Sequence, residues 1–235
     1  MTGQAEVLAA LDAVRDPELD EPVTALGFVS SCTVSDGGSD VQVRLRLPTY
    51  FCAPNFAFLM VADAYDAVSE VPGVERAEVV LDDHFASEAI NHGVAARAGF
   101  EASFEGEAAG ELDTLRRDFV RKAVLAGTDR VCRPLVAAGA TPERLAAMTL
   151  GDAPPTPDRE RLRERRAELG LPSDDASPLL VDLTTGGGVA LEALPLHLRR
   201  ARLTNVNTEA NSSVCRGMLL HRYDTRGQGE VEEVR

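Results

Sequence analysis

Cysteine and carboxylate are the side chains in this sequence with the most chemistry to offer, and one cysteine is placed to use it. Cys52 stands in Leu47-Pro48-Thr49-Tyr50-Phe51-Cys52-Ala53-Pro54, between the end of an alternating strand and the proline that opens a helix. Open α/β sheets place their ligands at such strand ends. The free N–H groups and dipole of a helix N-terminus favour a thiolate there, the form of cysteine that binds iron or attacks an electrophile. Asp16 and Glu18 lie in an Asp16-Pro17-Glu18 turn that enters the first strand. That strand runs antiparallel to the second, so its start shares a sheet edge with the second strand's end. Cys52, Asp16 and Glu18 are therefore the candidate metal ligands, with Cys52 the candidate cofactor-binding residue and no catalytic set in view. The plainer alternative makes Cys52 a small buried hydrophobe and the Asp-Pro-Glu turn a helix stop.

The other reactive residues are spread more widely. Cys32 falls at the hairpin end, away from Cys52, and reads as core or edge. His84, Glu88 and His92 recur every four residues on one helical stripe, which reads as solvated. The two histidines are about 12 Å apart along the axis, too far to share one ion. Cys132 sits among Val131, Leu135 and Val136 and reads as core. Cys215 and His221 would share a strand face about 20 Å apart. Thr184-Thr185-Gly186-Gly187-Gly188 lacks the lysine of a phosphate loop and reads as a turn.

The elements that must position Cys52 follow from apolar spacing. Val7, Leu8, Leu11 and Val14 predict a short helix, stopped before Pro17. Val23–Val34 and Asp40–Leu47 predict a hairpin through Ser35-Asp36-Gly37-Gly38-Ser39. Val41, Val43, Leu45 and Leu47 alternate with polar residues, so one face is buried. Pro54 to about Val71 predicts a helix, Val74–Leu81 a strand and Phe85–Arg97 a helix. The expected class is α/β (α+β): an N-terminal sandwich of helix, hairpin, helix, strand and helix at 1–98. A small, acidic linker at 99–110 and a mixed, mainly helical region at 111–235 follow. In that region Leu112 opens a helix closed by Gly127, with a second piece to Ala138. Glu143–Met148 follows Thr141-Pro142, and Asp158–Leu169 is rich in Arg and Glu. Short strands are expected near Leu179–Leu183, Leu203–Asn207 and Val214–Tyr223.

Charge narrows the partners. Residues 1–110 carry 19 acidic and 5 basic side chains, whereas 111–235 carry 19 of each, so the net −14 sits entirely on the first part. Such a surface repels nucleic acid and anionic lipid. Of the 24 basic residues all but Lys122 are arginine, which reads as compositional bias. Four scattered cysteines without a CxxC suit reduced thiols, and neither a basic leader nor a membrane-length apolar run is present. The expected location is cytoplasmic, with no nucleic-acid or membrane partner.

Four motifs occur in order: Asp16-Pro17-Glu18-Leu19, Leu26-Gly27-Phe28-Val29, Thr49 with Cys52 and Pro54, and Val71-Pro72-Gly73-Val74. As a set over roughly residues 4–85 they resemble the metal–sulfur (iron–sulfur) cluster assembly domain family, PaaD-like and SufT-like. The family pattern has cysteine directly before proline and a proline–tryptophan end after the last strand. Here Ala53 intervenes, and the strand ends in Asp82-Asp83-His84-Phe85. The resemblance implies a non-enzymatic accessory factor that holds iron or an iron–sulfur cluster transiently through Cys52. One cysteine fills one of a cluster's four usual thiolate positions, so a homodimer, a partner or a small thiol would supply the rest. Versions with C-terminal extensions resemble accessory proteins of bacterial multicomponent di-iron monooxygenases, which implies a client metalloprotein such as a di-iron hydroxylase. The alternatives are a metal-free adaptor or client-specific chaperone, and an enzyme with Cys52 as nucleophile.

Overall fold

Val41, Val43 and Leu45 are buried while the residues between them are half-buried, the alternation of a strand with one face on a core. The computed structural model describes residues 2–104 and 112–224. It divides into two units, Met1–Leu112 with Asn211–Arg235, and Asp113–Ala210.

In the first unit the order is α1 (Gln4–Leu11), β1 (Val29–Val34), β2 (Asp40–Arg46), α2 (Pro54–Ser69), β3 (Arg76–Asp82), α3 (Ser87–Ala95) and α4 (Gly99–Ser103). The strands stand in the order β1-β2-β3. β1 and β2 are antiparallel, whereas β2 and β3 are parallel with α2 as the crossover. Parallel strands joined by a crossover finish at the same edge, so the segments that leave β2 and β3 are neighbours. Val7, Leu11, Phe28, Val61, Val68 and Ile90 close the core against the sheet's buried face. The mixed α/β class expected from the sequence is the one observed.

Three local differences have physical causes. The first strand begins at Val29 and not Val23, because Pro22–Gly27 close into turns with Gly27 at φ +77°. Part of the expected linker at 99–110 is α4, where Phe100 packs on Phe58 with ring centres 5.5 Å apart. Residues 105–110 of that stretch lie outside the described residues. His84 precedes α3 and is buried, while Glu88 and His92 are exposed, so the three do not form one solvated stripe.

The second unit contains α5 (Leu112–Ala137), α6 (Pro142–Ala147), α7 (Pro157–Glu168) and the start of α8 (Leu194–Asp224). The helix expected to close at Gly127 continues through it. Gly127 is buried against Leu162, and a Cβ there would approach Leu162 Cδ1 to 3.3 Å. Thr141 and Thr156 cap α6 and α7 by accepting the N–H groups of Arg144 and Arg159. Arg166 is 0% exposed, and its guanidinium donates to the carbonyls of Pro178 and Leu179. The strands expected at Leu203–Asn207 and Val214–Tyr223 are helix α8, and Leu179–Leu183 holds only an isolated bridge, Val181 to Gly188. The buried positions of α8 include Ala201, Asn205 and Ser212, whereas Leu203, Val206, Val214 and Leu220 are exposed. Apolar residues thus fall on both sides of the helix and polar ones are buried, so its period is hidden from a hydropathy reading. Among the described residues no helix is long and apolar enough to cross a membrane.

Candidate functional site

Two segments leave the common edge of β2 and β3, residues 47–53 and 83–86, and hydrogen bonds lace them together. The Phe85 N–H donates to the Tyr50 carbonyl at 3.1 Å. His84 Nε2 lies 2.7 Å from the Cys52 carbonyl oxygen, while its Nδ1 accepts the Ala86 N–H at 3.2 Å. Cys52 is half-buried, one residue ahead of the Ala53 cap of α2, with Pro54 at the first helical position. The Thr49 hydroxyl stands 3.3 Å from its sulfur. Tyr50, Phe51 and Phe85 form an exposed aromatic group beside it, with Phe51 75% exposed.

The Asp-Pro-Glu turn is built by Asp16. Its carboxylate accepts the N–H groups of Glu18 at 2.9 Å and Leu19 at 2.8 Å, a side chain holding its own backbone turn. Asp16 is only 8% exposed. Burial outweighs the two N–H donors and pushes its carboxyl up from 3.8 to about 6.

The last turns of α8 return to this edge. Arg222 donates to the Leu47 carbonyl at 3.0 Å and to the Asp83 carbonyl, and pairs with the Asp83 carboxylate at 2.9 Å. It therefore ties the ends of β2 and β3 together. Leu219 lies in the first unit's core, against Gly27. Cys215 is on a helix and not on a strand, and it packs half-buried on the first unit's core. Burial, then the charges of Asp16, Cys52 and Glu18, push its thiol up to about 11.

The remaining thiols are elsewhere. Cys32 is buried in β1 opposite Val43, with its thiol raised by burial. Cys132 is in the second unit's core, where burial and then the charge of Asp129, opposed by Arg166, push its thiol up to about 12. Among the described residues no three His, Cys, Asp or Glu side chains stand ready to hold a metal ion. His84 is no general base for Cys52, because both ring nitrogens are engaged by backbone groups and not by the sulfur. Burial lowers its basicity, the bond to Cys52 raises it, and Arg222 lowers it again.

Comparison with known proteins places this arrangement. The family described as iron–sulfur cluster assembly protein matches residues 4–79. An uncharacterized protein of Methanocaldococcus jannaschii is 30% identical over 91 residues, which is 39% of this chain and 93% of that protein. The chain belongs to the iron–sulfur cluster assembly protein family. An iron–sulfur cluster carrier protein of Mycobacterium leprae is 35% identical over 79 residues, 34% of this chain and 20% of the carrier. The chain thus spans a fifth of that relative's length. No solved structure matches it. Asp16, Glu18 and Cys52 fall inside the family match, whereas His84, Cys215 and Arg222 fall beyond it.

The sequence reading missed His84 as a neighbour of Cys52, and it missed the helix that carries Cys215. For His84 a signal was present, because a helical crossover makes β2 and β3 parallel and sets their exits side by side. For Cys215 the signal was a stripe of inward positions at 212, 215, 216, 219 and 222, masked by the apolar residues on the opposite side.

Proposed function

We propose that this protein is a non-enzymatic iron–sulfur cluster assembly factor that holds iron or a nascent cluster on Cys52 and passes it to a client metalloprotein. The observation that carries this reading is the setting of Cys52. Within the family-matched stretch it is the half-exposed thiol, at the mouth formed by two parallel strand ends and a helix N-terminus. A thiolate is a soft ligand that suits iron and sulfide-bridged iron. With no third side-chain ligand assembled among the described residues, the cargo would stay open to capture by another molecule. An incomplete ligand set favours transfer over storage. A di-iron hydroxylase is the client class we favour, from the resemblance of extended family members to monooxygenase accessory proteins.

The exposed rings of Tyr50, Phe51 and Phe85 support a role in client contact at the same edge. A client that covered them would bury apolar surface and bring its own ligands to Cys52.

The test is an iron and sulfide assay on the full chain purified without oxygen, together with active-client yield on co-expression. Cys52→Ser should lose bound iron and client maturation while its circular dichroism is unchanged, since serine is nearly isosteric and a poor ligand for soft iron. Full client maturation by Cys52→Ser would refute the carrier reading and leave a metal-free adaptor.

A further inference from the structure

We propose that the exposed apolar stripe of α8 is a dimer interface, on which the α8 of a second copy of this chain packs antiparallel. The proposal goes beyond the reading of Cys52 as carrier thiol and does not depend on it.

The stripe follows from helical spacing. Leu203, Val206, Ala210, Val214, Gly217 and Met218 fall within about 60° on either side of one line along α8, at 3.6 residues per turn. All six are exposed, Leu203 by 57% and Val214 by 58%. The inward positions are a different set, with Ala201, Asn205, Ser212 and Leu219 buried. α8 therefore turns apolar side chains to water on the side away from its own chain. A contiguous apolar patch of this kind marks an interaction surface.

Gly217 is a second observation at the same stripe. Glycine weakens the interior of a helix. A Cβ at this position would meet nothing within 4 Å among the described residues, so the chain's own packing gives no reason for the missing side chain. Close approach of another helix gives one.

Self-complementarity names the partner. With a two-fold axis at Ala210, Val206 faces the partner's Val214, and Leu203 faces the partner's Gly217. A large side chain thus meets an empty position, and the small Ala210 lies where the helices come closest. A two-fold interface requires such a self-matching surface.

Charge sets the direction. Arg199, Arg200 and Arg202 are exposed beside the N-terminal part of the stripe. Residues 211–224 belong to the unit that holds residues 1–110 and their net −14. Antiparallel helices bring the arginines of one copy alongside the acidic unit of the other. Parallel helices would set arginine on arginine and acid on acid. The two-fold also keeps the Cys52 edges apart, because Arg222, which ties that edge, stands roughly 30 Å or more from its counterpart at 1.5 Å per residue. Each copy keeps its own site.

The experiment is sedimentation equilibrium of the full chain, which should be a dimer at about 10 μM. Val206→Glu places a charge in the seam, and Gly217→Leu places a side chain against Leu203. Each should weaken the dimer about tenfold or more while circular dichroism is unchanged, since both positions are exposed in the single chain. Disulfide trapping reads the direction: mixed Val206→Cys and Val214→Cys chains should cross-link to each other, and neither variant to itself. A wild type that is monomeric at about 100 μM overturns the proposal and leaves the stripe to a different protein. A dimer that neither Val206→Glu nor Gly217→Leu weakens overturns it too, and cross-linking of each cysteine variant to itself overturns the antiparallel arrangement.

Discussion

The ring of His84 hydrogen-bonds the backbone carbonyl of Cys52, 2.7 Å from Nε2, and not its sulfur. Because Nδ1 accepts the Ala86 N–H, the proton of the neutral ring is on Nε2, and His84 is the donor to Cys52. The bond crosses from the exit of β3 to the exit of β2. It fixes the backbone that presents the thiol and makes no bond to the sulfur, which the Thr49 hydroxyl approaches at 3.3 Å.

His84 should therefore make the protein acid-sensitive. Its folded-state basicity is lowered, chiefly by burial, so the unfolded chain takes up the proton first as pH falls below about 6.5. This contribution to stability is present above that value and is lost as pH falls through it. His84→Ala should cost about 1–3 kcal/mol near neutral pH, because the Cys52 carbonyl loses its donor. Urea midpoints should fall more between about pH 7.5 and 5.5 in the wild type than in the variant. Equal falls would contradict the assignment.

Asp16 acts with the opposite sign. Its carboxyl is raised from 3.8 to about 6 in the fold, so the folded state binds the proton more tightly than the unfolded chain. Stability therefore declines as pH rises from 3.8 to about 6, and the ionised group costs up to about 3 kcal/mol at neutral pH. Asp16→Asn retains an oxygen for the N–H groups of Glu18 and Leu19 and removes the charge. Chemical denaturation should show it more stable than wild type at pH 7 and no more stable below pH 3.8. A destabilised asparagine variant at neutral pH would refute this.

Thiol reactivity should single out Cys52. Cys132 is pushed up to about 12, Cys215 to about 11, and Cys32 upward by burial, so each keeps its proton and reacts slowly. Iodoacetamide labelling followed by peptide mass spectrometry at neutral pH should modify Cys52 first in the metal-free protein. Faster labelling of any other cysteine would mean that the environment of Cys52 has been misassigned.

Arg222 should be a structural tie with a functional consequence. Its guanidinium serves two main-chain carbonyls and the Asp83 carboxylate. Arg222→Ala should lower stability by about 2–3 kcal/mol. It should also release the last turns of α8 and increase the labelling rate of Cys215. A variant with unchanged melting temperature and unchanged Cys215 labelling would show that α8 is held without it.

The sequence by itself determined the local part of this protein. Alternating Val41, Val43 and Leu45 specify a one-sided strand, Pro54 starts a helix beside Cys52, and the Asp16-Pro17-Glu18 motif set is enough to recognise the family. These signals are short-range, and each is written in residues within a turn or a strand of one another. Tertiary structure decided what meets Cys52. His84 reaches it because β2 and β3 are parallel and end together. The last turns of α8 return to this edge because Arg216 and Arg222, polar residues, find their partners in main-chain carbonyls and carboxylates far away in sequence. Hydropathy reports apolar burial, so it placed strands where Leu203, Val206 and Val214 stand exposed on a helix. Polar docking has no periodic apolar signature, and only the folded chain shows which side faces in.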